Sequence, residues 1–264
     1  MEILPEVGGK ESLHTVSEYF ETSSGPLKEA AFNALTSWED YAVTDILYDI
    51  ASNQGGSYGQ RAVESFVKQV NDAQIPDEQK MLQYRKVMDV TGREGDKLMV
   101  IGAIGELKTF LSLVYLEQFL DDPALQQATA RSIMRIALPG SAEAKGFEGH
   151  IVRSLLERTA QVMSGPESDY YRINIQKYLG ELPEEEGIVS MFNGQNLEGW
   201  QGLVGNPVTR AEMTEEELAE QQKEANKVMH ENWRVKDNTI VFSGKGANLC
   251  SVKEYGDFEL IVDW

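Results

Sequence analysis

Two carboxylates near the end of the chain, Glu259 and Asp263, have the type and spacing that could serve acid–base catalysis. They are four residues apart in the run 258–264, which reads as a β-strand, so both side chains fall on one face. Cleavage of a glycosidic bond uses two carboxyl groups that flank the bond. At ~3.3 Å per residue the two Cα atoms would be about 13 Å apart, too wide for a retaining pair. One of them could act with a residue from another strand; alternatively, both are carboxylates on a solvated or ligand-adjacent sheet face.

Three other residues are candidates for binding a substrate: Trp200, Lys253 and Tyr255. A tryptophan can stack on a sugar ring, and Trp200 and Trp233 could both do so, but core packing is favoured for both. Lys253 and Tyr255 could contact sugar hydroxyls, although a tyrosine in an apolar loop also packs well. These residue types could therefore contact a sugar, and the packing alternative stays open for the aromatic ones.

The remaining reactive side chains predict no metal site and no cofactor. Cys250 is the only cysteine, so no intrachain disulfide forms, and a small buried apolar role suits it better than that of a nucleophile. His14 and His150 are isolated from other ligands at metal spacing. The run Gly244-Lys245-Gly246 lacks the spacing and the following helix of a phosphate-binding loop.

The elements that must position these residues are short strands separated by turns. We predict strands at 188–192, 232–235, 239–242, 248–252 and 258–264. Thr214 followed by Glu217 is a capping-box pattern, which predicts a polar helix over 215–229. Short strands with turn signals about every 8–12 residues are typical of a β-sandwich.

The strand at 258–264 carries five large apolar residues, which would be unfavourable on an exposed sheet edge. We therefore expect it to be an interior strand of a larger sheet whose other strands are not in this sequence. On this interpretation the chain holds the first part of a domain and is inactive by itself.

The preceding part of the chain is helical from about residue 26 to 182. Displacing the sequence by 69 residues places Ala34 on Ala103 and Leu47 on Leu116. Two helix pairs per displacement give about 34 residues per pair, within the range of stacked helical hairpins. The pattern resembles a HEAT-type α-solenoid. Its apolar stripes indicate core packing, and its surface is a candidate docking platform for a protein or glycan. Predicted helices begin near Pro26 and include 58–72, 77–91, 95–108, 110–120, 123–138, 149–163 and 167–180.

A proline, three carboxylates and a glycine over 183–187 mark a change of periodicity. The predicted organisation is a HEAT-like α-helical domain at 1–183, a linker at 184–187 and the β-domain at 188–264. The fold class is thus α-solenoid followed by an incomplete β-sandwich or jelly roll with an inserted helix.

Composition excludes several partners. The formal net charge of −19 disfavours nucleic acid and anionic membranes. No apolar run approaches the ~20 residues that span a bilayer. Residues 1–5 lack the basic and apolar regions of a signal peptide. A neutral ligand such as a sugar is compatible with this charge.

The β-part resembles the opening of the 3-keto-disaccharide hydrolase family. The resemblance rests on these motifs: Phe192-Asn193-Gly194, Gly199-Trp200, Trp233-Arg234-Val235 before Asp237, Leu249, and Lys253 through Leu260. It implies a concanavalin-like jelly roll that hydrolyses or eliminates keto-sugar glycosides, with carbohydrate as the partner. It also implies export to the periplasm or cell surface, as in bacteria of the Bacteroides type. The motifs do not assign a matched catalytic set, and the alternative is a non-catalytic carbohydrate- or protein-binding module.

Overall fold

The computed structural model describes residues 4–141, 145–182, 189–236, 239–246, 248–256, 258 and 260–262 of the chain. The chain forms two compact units, Met1–Ile188 and Val189–Trp264. Helices make up the first unit, and a few short strands and two helices make up the second, so the structure confirms the order of helices followed by partial β-structure.

The first unit is helical wherever it forms regular structure in the described residues. Its elements are α1 Leu4–Val7, α2 Lys10–Thr22, α3 Gly25–Thr36, a 3₁₀-helix Tyr41–Val43, α4 Thr44–Asn53, α5 Gly56–Asp72, α6 Asp77–Val90, α7 Glu94–Ile104, α8 Phe110–Glu117, α9 Gln126–Ala137, α10 His150–Val162 and α11 Ser168–Glu181. Among the described residues of both units, no helix is long and apolar enough to cross a membrane.

Consecutive helices pack in pairs. The pairs are α2 with α3, α4 with α5, α6 with α7, α8 with α9, and α10 with α11. Alternate helices also touch, because α3 packs on α5, α5 on α7 and α7 on α9, while α4 packs on α6 and α6 on α8. Each pair therefore buries its apolar face against its neighbours, and one continuous core runs through the unit.

Two of the pairs of positions related by the 69-residue displacement have similar burial. Leu47 and Leu116 are both fully buried, and Ala34 and Ala103 are 4% and 8% exposed. The internal similarity thus marks equivalent core positions on α3 and α7, and on α4 and α8. Apolar residues at helical spacing are core residues here, as the sequence indicates.

Buried polar contacts connect successive pairs. The Ser132 hydroxyl on α9 donates to the backbone oxygen of Ile101 on α7 at 3.0 Å. The Gln69 amide donates to the backbone oxygen of Trp38, which is itself 1% exposed in the turn after α3. Buried acceptors at helix ends are therefore satisfied by the neighbouring helix, which lowers the cost of burying them.

The sequence analysis did not predict α2. Leu13, Val16 and Phe20 are buried at helical spacing, so the signal was present, although the segment has no polar N-cap side chain: Gly9 precedes it. Packing against α3 fixes this helix in place.

The second unit contains two separate two-stranded antiparallel sheets in its described residues. Its elements are β1 Trp200–Gly202, α12 Pro207–Ala211, α13 Glu215–Asn232, β2 Trp233–Lys236, β3 Thr239–Phe242 and β4 Leu249–Ser251. β1 pairs with β4, and β2 pairs with β3. The predicted strands at 232–235, 239–242 and 248–252 therefore form, with small shifts at their ends.

Helix α13 begins as the sequence predicts. The Thr214 hydroxyl accepts a hydrogen bond from the Glu217 amide at 3.2 Å, and the Glu217 carboxylate accepts one from the Thr214 amide at 2.9 Å. This reciprocal pair satisfies two amides of the first turn, so the capping box is confirmed. The helix continues to Asn232, three residues beyond the predicted end.

Two predicted strands do not form in the described residues. Residues 189–192, from the predicted strand 188–192, have no strand partner. The same holds for residues 258 and 260–262 of the predicted strand 258–264. A strand requires a partner at the right distance, and the described residues offer none to either segment, so the apolar pattern does not by itself produce a strand. The turn residues Asp237 and Asn238 lie outside the described residues.

Candidate functional site

A network of side chain to backbone hydrogen bonds shapes the segment 192–200. The Asn193 side-chain oxygen accepts from the amides of Gln195 and Asn196, each at 2.9 Å. The Asn196 side-chain oxygen accepts from the Glu198 amide at 2.9 Å. Such Asx turns replace the missing strand pairing and direct the chain into β1. The asparagine of this motif therefore has a structural role.

The two glycines of the same segment have backbone angles that favour glycine. Gly194 has φ 75° and Gly199 has φ 83°. A side chain at either position would strain the backbone, because left-handed conformations are unfavourable for residues with a Cβ atom. Gly199 immediately precedes Trp200, so its conformation sets the direction in which the tryptophan enters β1.

Trp200 begins β1 and lies opposite Ser251 of β4. The Val252 amide donates to the Gly199 backbone oxygen at 2.9 Å, which extends this pairing by one residue. The Trp200 indole is partly buried, and its Nε1 atom is shielded from solvent without an acceptor among the described residues. The indole N–H is therefore a buried donor, and only the exposed part of the ring can contact a ligand.

Lys253, Tyr255 and Phe258 form an exposed row after β4. The Lys253 ammonium is 5.2 Å from the Tyr255 ring centroid. The Tyr255 and Phe258 rings are 6.1 Å apart at 60°. Tyr255 is 36% exposed and Phe258 is 65% exposed. A cation beside two exposed rings offers polar and stacking contacts to the same ligand.

The register of β1 and β4 brings the three predicted substrate-binding residues to one end of a sheet. Trp200 pairs with Ser251, and the Ser251 hydroxyl donates to the Lys253 backbone oxygen at 2.8 Å. Lys253 and Tyr255 therefore lie two and four residues after Ser251, the strand residue opposite Trp200. Phe258 joins this group and was not selected from the sequence, where its apolar alternation with Leu260 indicated a strand.

Trp233 has a different environment. It is paired with Phe242 across β2 and β3, and the two rings stack at 4.4 Å and 25°. Cross-strand aromatic pairs stabilise two-stranded sheets. Of the two roles that the sequence left open for Trp233, this contact supports packing.

The two catalytic candidates, Glu259 and Asp263, lie outside the described residues. Glu217 is the carboxyl group of α13 whose pKa lies below its ordinary value, because it accepts hydrogen bonds from the Thr214 amide and hydroxyl. This shift belongs to the helix cap and gives no acid or base for catalysis.

The isolated reactive residues stay apart from one another. His14 on α2 and His150 on α10 are exposed, and Cys250 is partly buried in β4. Within the part of the chain that the structure describes, no three His, Cys, Asp or Glu side chains are close enough to hold a metal ion.

Comparison with known proteins concerns the second unit. The model of one family, described as a 3-keto-alpha-glucoside-1,2-lyase-like domain, matches residues 187–264. The match covers less than a third of the 264 residues, so the similarity describes this segment alone. No curated protein matches the chain.

Proposed function

We propose that residues 187–264 belong to a domain that cleaves the glycosidic bond of 3-keto-disaccharides or related glycosides. The family match over these residues carries the proposal. The geometry of the motif residues supports it. The Asn193 side chain accepts a hydrogen bond within a turn, and Gly194 and Gly199 have the positive φ angles that favour glycine.

The proposed reaction follows from the chemistry of a 3-keto sugar. The ketone at C3 acidifies the proton on C2, so a general base can remove it. The electron pair then forms a C1–C2 double bond, the bond from C1 to the glycosidic oxygen breaks, and the leaving group takes up a proton. Hydrolysis is the other outcome: water attacks C1 and loses a proton, the bond from C1 to the glycosidic oxygen breaks, and the leaving oxygen takes up a proton. The proton on C2 then remains in place.

The residues that we propose for this chemistry are those selected from the sequence. Trp200, Lys253 and Tyr255 would hold the sugar. Two observations support this: Trp200 lies opposite Ser251, two residues before Lys253, and the Lys253 ammonium is 5.2 Å from the Tyr255 ring centroid. Glu259 or Asp263 would supply a carboxylate that acts with a group on another strand. The spacing of these two residues argues against a pair formed by them alone.

The finer architecture is also part of the proposal. The stacked helix pairs support a HEAT-like α-solenoid, and the short strands support the first part of a concanavalin-like jelly roll. We also propose a place in the bacterial periplasm or on the cell surface, which rests on the similarity to this family.

The decisive experiment uses a 3-keto-disaccharide deuterated at C2. Elimination would release the leaving sugar with loss of deuterium and form an unsaturated ketone that absorbs in the ultraviolet. Hydrolysis would release both sugars with the deuterium retained. The native protein that carries residues 187–264 should give one of these results, and release of no sugar would refute the enzymatic function.

We expect the 264-residue chain alone to show no turnover. Its described β-residues form two separate two-stranded sheets, which cannot enclose a substrate between packed layers. Measurable turnover by this chain would contradict that expectation.

A non-catalytic binding module is the second candidate. The exposed row of Lys253, Tyr255 and Phe258 favours it, because the row can stack on a sugar without a neighbouring acid or base. Binding of the glycoside by the native protein without cleavage would support this candidate over the enzyme. The helical surface would then serve as a docking platform.

A further inference from the structure

Asn193 and Gly194 form the one Asn-Gly pair in the sequence. Glycine has no Cβ atom, so nothing on its own side shields its backbone nitrogen from the preceding side chain. Among the described residues no acceptor binds the Gly194 N–H, and Asn193 is exposed, so base and water reach both residues. The pair therefore has the covalent structure of a deamidation site.

The reaction at such a pair needs only a base and water from the solvent. The base takes the proton of the Gly194 backbone nitrogen, and this nitrogen forms a bond with Cγ of Asn193. The bond from Cγ to Nδ2 breaks, and Nδ2 leaves as ammonia with a proton from water, which leaves a cyclic succinimide. Water then opens the ring at either carbonyl. The products are aspartate and isoaspartate, in which the backbone runs through the side chain.

Three hydrogen bonds hold the Asn193 carboxamide in the folded chain. Its Oδ1 atom accepts from the backbone N–H groups of Gln195 and Asn196, each at 2.9 Å. Its Nδ2 atom donates to the Asn196 side-chain oxygen at 2.7 Å. Both polar atoms are thus directed to residues after Gly194. The carboxamide cannot turn its face onto the Gly194 nitrogen, nor release Nδ2, without breaking these bonds.

The residue that binds Nδ2 is itself fixed. The Asn196 side-chain oxygen also accepts from the Glu198 backbone N–H at 2.9 Å. Deamidation to aspartate would place a carboxylate oxygen where Nδ2 now lies, facing the Asn196 oxygen with no proton between them. Isoaspartate would lengthen the backbone between the turn and the amides that it binds. The turn therefore fits asparagine and does not fit either product.

We propose that Asn193 is a deamidation site that the folded turn holds inactive. Opening of the segment 192–200 releases the carboxamide, and conversion to aspartate or isoaspartate then prevents the turn from closing again. Because this segment leads directly into β1, the conversion is an irreversible chemical record of local opening at the start of the second unit. The proposal does not rest on glycoside cleavage, since it needs only the turn.

The test compares the rate of ammonia loss at Asn193 in the folded and the unfolded full chain. Both samples are kept in the same mildly alkaline buffer, one of them with guanidinium chloride at a concentration that unfolds the chain. Peptide mapping by mass spectrometry locates the conversion and separates aspartate from isoaspartate. The folded chain should convert at least about tenfold more slowly, because the three hydrogen bonds must open first.

Variants of the residue that binds Nδ2 identify the source of the protection. Asn196→Ala removes the acceptor and should raise the rate in the folded chain by about tenfold. Asn196→Asp keeps an acceptor oxygen and should stay within about threefold of the native rate. Asn248→Ala, at an exposed position in the same unit, is the matched control and should leave the rate unchanged. Circular dichroism should show that all three variants keep their helices.

The converted chain gives a second measurement. Hydrogen exchange at the amides of Gln195, Asn196 and Glu198, which donate to the turn side chains, should be faster after conversion. Three results would overturn the proposal. Equal rates of conversion in the folded and unfolded chain would show that the turn gives no protection. An unchanged rate in Asn196→Ala would assign the protection to another contact, and unchanged amide exchange after conversion would show that the turn accommodates the product.

Discussion

The two units of this chain bury their apolar residues to very different extents. The first has a continuous core that includes Phe32, Leu35 and Phe66, all fully buried. In the described residues of the second, the buried large apolar side chains are Val204 and Met229. Phe258, Leu260 and Val262 are all more than half exposed. A helix forms its backbone hydrogen bonds internally and buries an apolar face against the next helix pair. A two-stranded sheet needs further strands to pair its outer edges and a further layer to bury its apolar face.

Truncating a core residue of the helical unit should have the largest effect. Phe66→Ala should lower the free energy of unfolding by about 3–5 kcal/mol, because Phe66 is fully buried on α5. The matched change in the second unit, Phe258→Ala, should change it by about 0.5 kcal/mol or less, because that ring is exposed. Urea unfolding followed by circular dichroism measures both. Equal losses would show that Phe258 is buried in solution.

The second prediction concerns the close packing of α13 on β1. A Cβ atom at Gly202 would lie 2.2 Å from the Ala225 backbone oxygen. The Gly202 backbone N–H also donates to the Asn226 side-chain oxygen at 3.0 Å, and the Gln222 side-chain amide donates to the Gly202 backbone oxygen at 2.8 Å. Gly202→Ala should therefore destabilise the second unit by about 1–3 kcal/mol.

The control for that change is Gly256→Ala, because nothing lies within 4 Å of a Cβ atom built there. Hydrogen exchange of the α13 amides should accelerate in Gly202→Ala and stay unchanged in Gly256→Ala. If the α13 amides exchange as slowly in both variants as in the native chain, the close approach of α13 to β1 does not stabilise this unit.

A smaller effect is expected at the start of α13. Thr214→Ala removes the acceptor for the Glu217 amide and should cost about 1 kcal/mol of helix stability. It should also raise the pKa of Glu217 toward its ordinary value, since the Thr214 hydroxyl and an ordered Thr214 amide hold that pKa down. Thr214→Ser keeps the hydroxyl and should preserve both properties. NMR titration of the Glu217 carboxyl carbon reports the pKa.

The smallest effect is a pH dependence in the helical unit. Burial raises the pKa of Asp96 on α7, Glu64 adds to the rise, and Arg93 opposes it. Because the folded state binds this proton more tightly than the unfolded state, Asp96 makes the unit less stable above its folded pKa. That loss is relieved as the pH falls through the folded pKa toward the ordinary pKa of an aspartate.

Asp96→Asn should therefore raise the free energy of unfolding above the folded pKa of Asp96, and should flatten the fall in stability as the pH rises through that pKa. Asp89→Asn, at an exposed position on α6, is the matched control and should leave the stability unchanged. A loss of stability in Asp96→Asn would show that the carboxylate has a favourable partner.

Much of the helical unit could be predicted because its signals are local. Pro26 lies in the first turn of α3, and prolines, glycines and aspartates separate the later helices close to the predicted positions. The capping box of α13 was equally clear, since Thr214 and Glu217 need only each other. Local hydrogen bonds and helical spacing do not depend on distant parts of the chain.

The candidate site was predictable in its residue types and not in its arrangement. Trp200 is about 50 residues before Lys253 and Tyr255 in sequence, and only the pairing of β1 with β4 places it at the same end of the sheet. The stacking of Trp233 on Phe242 likewise depends on the register of β2 and β3. The catalytic assignment of Glu259 and Asp263 stays a prediction.

The amino-acid sequence by itself determined the position of most helices after Pro26 and the cap of α13, because each depends on residues within a turn or two of one another. Tertiary structure decided which apolar segments become strands and which side chains meet. The segment 258–262 has the alternation of a strand but remains exposed where it is described. A strand gains its hydrogen bonds from a partner, and that partner is a property of the folded chain and not of the segment.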